Sequence, residues 1–108
     1  MSTAFDERRR ALEEKWAHDE ELRFKVHVRR AKLMGLWAAT EMALSPAEAD
    51  AYAKTLVALD MSRGGDEEVV QKILSDFAAK SIGRTDHLLR TKMAELLEQA
   101  KDQIMTEG

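Results

Sequence analysis

The stretch from residue 22 to residue 44, LRFKVHVRRAKLMGLWAATEMAL, leaves little freedom for the fold. It has no proline, and Gly35 is its single glycine. At about 100° per residue, Leu22, Val26, Leu33, Trp37 and Leu44 fall in one sector of a helix. Phe24, Val28, Ala31, Ala38 and Met42 fall in another, roughly opposite. A helix that is apolar on two sides must be enclosed by other helices rather than laid on a surface. The narrow sectors left over carry Lys25 and Lys32, and Arg23, His27, Arg30 and Glu41. The sector of Arg23, His27 and Arg30 is expected to be the wet side, and Trp37 is assigned to the core.

The preceding stretch, residues 5–17, is built differently. Its large apolar residues are Phe5, Leu12 and Trp16, set among Asp6, Glu7, Arg8, Arg9, Arg10, Glu13, Glu14 and Lys15. The three lie within about 40° on a helical wheel and make one thin stripe. In an unbroken helix that stripe would share the azimuth of Arg23, His27 and Arg30. Either the helix breaks near residues 17–20, or the stripe faces away from its own core. Both readings leave Phe5, Leu12 and Trp16 poorly covered by the rest of the chain, and an uncovered apolar stripe on a charged helix suggests a partner. The alternative is that the stripe folds back as a minor part of the core.

The remainder divides at clear punctuation. Ser2 or Thr3 can cap the first helix, which is expected to run to about Met42 or Ala43. Ser45-Pro46 with Glu48 three residues on reads as a capping box with proline at N1, opening a second helix to about Met61. Its alanines permit close approach of a neighbouring backbone. Gly64-Gly65 stops it. A third helix begins at Gly65 or Asp66, buries Val69, Val70, Ile73, Leu74 and Phe77, and ends at Ser81-Ile82-Gly83. Thr85 caps a fourth, to about Met105, with Leu89, Met93, Leu96, Ala100 and Ile104 inward. Short loops make consecutive helices antiparallel. The expectation is an all-α four-helix bundle with a long N-terminal helix or arm: residues 1–20 as the arm, 21–108 as the bundle.

With 108 residues, 44% of them hydrophobic, the chain can build one core. The absence of cysteine excludes disulfides and thiolate chemistry. A formal net charge of −3 gives no general reason to expect nucleic acid, although basic residues outnumber acidic ones between residues 18 and 33 and the reverse holds beyond. MSTAFDERRR has no apolar signal core, and no apolar run approaches the roughly 20 residues that span a bilayer. A cytoplasmic protein, without direct membrane insertion, is expected.

Chemistry-bearing patterns are sparse. His18 with Glu14 or Glu21 has metal-ligand spacing, but charged helices produce such pairs by chance, so no metal or other cofactor is expected. There is no phosphate-binding glycine motif and no nucleophile–histidine arrangement, so the chain is not expected to be an enzyme. Arg29, Arg30 and Lys32 could form an anion site, or simply keep a face in water; on the first reading the chain would be a helical sensor of a small ligand such as an adenine nucleotide.

FDERRRALEEKWAHDEELRFK followed by RRAKLMGLWAA resembles the zeta subunit of the alpha-proteobacterial F-type ATP synthase. The likeness continues through DAYAKTLVALD, GGDEEVVQKILSDF and TDHLLR, nearly the whole chain. The resemblance implies a four-helix bundle that inhibits ATP hydrolysis by the rotary enzyme. It implies an N-terminal helix inserted at a catalytic interface between alpha and beta subunits, reaching toward the gamma shaft. It places the chain at the inner membrane as a peripheral component of the ATP synthase. On that basis Phe5, Arg8, Leu12, Lys15 and Trp16 map onto the inhibitory segment, with His18 and Asp19 at its end. The chain departs from the family's pattern at Arg9, Trp16 and Ala31, where relatives often carry an acidic residue, Phe and Asn. Burying Phe, Leu and Trp would contribute roughly 1.5–3 kcal/mol per side chain before ordering costs.

Overall fold

A computed structural model describes residues 4–62 and 65–107. The described residues form five α-helices and no strand: α1 (Ala4–His18), α2 (Glu20–Glu41), α3 (Pro46–Asp60), α4 (Gly65–Ala79) and α5 (Asp86–Glu107). The all-α class is as the sequence implied. Ser2, Thr3 and Gly64, expected as cap and stop residues, lie outside the described residues, as do the side chains of Phe5 and Leu12.

The long first pattern is two helices, because Asp19 breaks it. Asp19 is extended (φ −113°, ψ 103°), and its carboxylate accepts from the Leu22 N–H at 3.0 Å. Lys15 and His18 close α1 while Glu20 and Glu21 open α2, so both helix dipoles meet complementary charge at the break. Downstream, the Ser45–Glu48 capping box is present with Pro46 at the first turn, and the Leu88 N–H donates to Thr85 Oγ1 at 3.0 Å. α2 and α4 both end in a Schellman turn. Ala43 and Ser81 take positive φ (56° and 58°), and the N–H groups of Leu44 and Ile82 reach back to the carbonyls of Ala39 and Phe77 at 3.0 and 2.8 Å. Leu44 and Ile82 then pack on the core.

α2 packs against α3 and α5, and α4 against the same two helices. Met34, Ala38, Leu56, Val69, Val70, Ile73, Phe77, Leu89 and Leu96 are buried between them. Trp37 is partly buried, edge-on to Phe77 with ring centroids 5.9 Å apart. α2 and α3 approach closely where Gly35 faces Ala53: a Cβ on Gly35 would fall 2.6 Å from the Ala53 Cα. The two-sided burial expected of α2 holds over its C-terminal half and fails at Phe24, which is 53% exposed. The expected wet side is corrected as well. Arg30 is only 5% exposed, because the carboxylates of Asp60 and Asp66, flanking the α3–α4 connection, close over its guanidinium.

Candidate partner interface

α1 turns back at Asp19 and lies against α5 and α2. Eleven residues of unbroken helix would separate Trp16 and His27 by about 16 Å along the axis. Instead their rings stack, 5.5 Å between centroids and 20° between planes. The Lys101 ammonium stands 4.8 Å from the Trp16 ring centroid, close enough for a cation–π contact. Trp16 is therefore half-buried, which corrects the expectation that it is poorly covered. It is nevertheless absent from the apolar core that joins α2 to α5.

Ion pairs also join α1 to α5. The Arg9 guanidinium bridges Glu98, at 3.2 Å, and Asp102 on α5. Glu13 accepts from Lys101 Nζ at 3.4 Å, and Glu98 lies 3.6 Å from the same ammonium. Lys101 is buried by this arrangement, with its charge held between two carboxylates and an aromatic face.

Beneath Trp16, His27 Nδ1 lies 3.1 Å from Arg30 Nη2. A guanidinium can only donate, so this contact requires a neutral imidazole with its proton on Nε2. Burial, with the neighbouring Arg30 charge, holds His27 below the ordinary imidazole range. Burial pushes the Asp60 carboxyl up, against the pull of Arg30. His27, Asp60 and Asp66 bring one ligand atom each within 4.8 Å of one another, which is metal-ligand spacing. The Arg30 guanidinium already stands among them, within reach of all three. The group's positive charge is thus supplied by the chain itself.

Phe5, Arg8, Leu12, Lys15, Trp16 and His18 all belong to α1, with Arg8, Lys15 and His18 exposed. Glu14, Lys15, His18, Asp19, Glu20 and Arg23 line an open elbow between α1 and α2. Arg29, Arg30 and Lys32 do not converge. Arg29 is tied to Glu107, at 2.6 and 2.8 Å, and to Gln103; that pairing raises its own pKa and lowers that of Glu107. Arg30 points instead toward α3 and α4. Lys32 and Arg29 border a shallow groove with Phe24, Val57 and Ile104.

Sequence reasoning did not find Glu98, Lys101 and Asp102, which look like a solvated helix face in isolation. Their role depends on which helix lies across them, and helical periodicity carries no information about that.

The model of the ATPase inhibitor subunit zeta family matches residues 1–103. This chain belongs to that family. No curated protein matches the sequence. Membership of the zeta family implies an ATP synthase as partner, and among the described residues no helix is long and apolar enough to cross a membrane.

Proposed function

We propose that this chain inhibits ATP hydrolysis by a rotary F-type ATP synthase by inserting α1 as a helix at a catalytic interface between alpha and beta subunits, toward the gamma shaft. Residues 21–108 act as a four-helix bundle that carries the arm, residues 1–20. Inhibition is steric: a helix wedged in the interface blocks the closure and rotation that hydrolysis requires. The chain acts by binding and not by catalysis. Phe5, Leu12 and Trp16 supply apolar anchors, and Arg8, Lys15, His18 and Asp19 supply polar contacts around them.

The observation that carries this reading is the break at Asp19. It makes α1 a discrete helix, crowded with both signs of charge, on a one-residue elbow. Among the described side chains, those of α1 that reach the rest of the chain do so through ion pairs and the stacked Trp16 indole. A helix so attached can move without dismantling what it is attached to.

Photo-crosslinking tests the placement. A photoactivatable residue at position 8 or 15 is expected to label alpha and beta subunits. Labelling of the catalytic subunits from positions 54 or 91, on α3 and α5, with none from 8 or 15, would overturn it.

A further inference from the structure

We propose that the free protein holds α1 shut against α2 and α5, so that the segment assigned above to the catalytic interface must be released before it engages; this rests on that assignment. Trp16 cannot stack on His27, under the Lys101 ammonium, and also anchor in a foreign groove. The docked and engaged positions of α1 are mutually exclusive.

The latch lies on the bundle. Glu98 and Asp102 hold Arg9, Lys101 holds Glu13 and Trp16, and His27 stacks on the indole. Three of these contacts are ion pairs: the two made by Arg9 join partly exposed groups, which individually contribute little and separate readily, and the third joins the buried Lys101 ammonium to the partly exposed Glu13 carboxylate. The cap of α2 survives when α1 swings, because the carboxylate of Asp19 accepts from the Leu22 N–H within α2's own segment; across the elbow the backbone bond is the one from the Asp19 N–H to the Lys15 carbonyl, at 2.9 Å. A binder whose competent form is one fraction of its population shows an apparent affinity reduced by that fraction, and loosening the closed form raises it.

Since Glu98, Lys101 and Asp102 lie outside the segment assigned to the partner, the latch can be altered without touching that segment. Two variants of the full chain serve, Lys101→Met and the double change Glu98→Gln with Asp102→Asn. Amide hydrogen exchange along residues 4–18 reports opening, and the onset of inhibition of an isolated rotary ATPase head reports engagement. In both variants α1 amides are expected to exchange on the order of tenfold faster, with α3 and α4 unchanged, and inhibition to set in faster by a similar factor. If Lys101→Met, at a buried position, also loosens α3 and α4, the surface double variant decides. Unchanged exchange in α1 would overturn the latch. Faster exchange with unchanged or slower onset would overturn its place in regulation. A wild-type chain that fails to inhibit removes the proposed function and the regulatory half of the inference, while exchange alone still decides whether α1 is latched.

Discussion

Arg30 joins three helices through charge: its guanidinium touches His27 on its own helix, Asp60 on α3 and Asp66 on α4. Removing one member of a buried pair leaves an uncompensated charge, so Arg30→Met is expected to lose about 3 kcal/mol in denaturant unfolding, and Arg30→Met with Asp60→Asn to recover part of it. His27 makes the junction pH-sensitive. Its folded pKa lies below the ordinary 6.5, so as pH falls from about 7 the unfolded chain takes up the proton first and stability drops. Arg23 and Arg30 oppose the imidazolium and Asp60 and Asp66 favour it, with burial under Trp16 tipping the balance. Asp60 acts in the opposite sense at more acid pH, since its carboxyl sits above the ordinary 3.8. Comparing unfolding at pH 7.5 and 5.5 should show a smaller drop for His27→Gln than for wild type; equal drops would mean another group titrates. Backbone positions give two further expectations. Gly35→Ala is expected to cost about 2 kcal/mol, since the new methyl meets the Ala53 backbone and not a flexible side chain. Ala43→Gly and Ser81→Gly are each expected to gain about 0.5 kcal/mol or more, by relieving a left-handed residue at a helix end.

At the scale of elements, the helices were legible where the chain carries its own punctuation. Ser45-Pro46-x-Glu48 and Thr85 mark helix starts by local hydrogen bonds that need no tertiary partner. The break at Asp19 was one of two open readings, because an aspartate within a charged run can cap a helix or simply face water. What decides between these is the return of α1 onto α5, and that depends on Arg9, Glu13 and Trp16 meeting residues some ninety positions away. The same non-local pairing hid the burial of Arg30 and Lys101 and the exposure of Phe24. Trp16→Asp separates the roles of α1 and the core. It removes a stacked pair and a cation–π contact, so a loss of about 1–2 kcal/mol in the docking of α1 is expected. Near-ultraviolet circular dichroism from Trp37 against Phe77 should persist. Its collapse would show that α1 belongs to the cooperative core.

For the whole molecule, membership of the zeta family names the kind of machine the chain serves, and the geometry supports a division of labour within it. α2 to α5 share one apolar interior, while the described side chains of α1 that reach them do so through ion pairs and the Trp16 indole. Under the proposed function, α1 is the helix presented to the target, and the shared interior of α2 to α5 carries the stability. Deleting residues 1–17 tests that division. The truncated chain should keep a cooperative thermal transition, yet leave ATP hydrolysis by the isolated soluble head of the synthase running at its uninhibited rate, where the intact chain suppresses it. Equal suppression by the two chains would contradict the assignment of inhibition to α1.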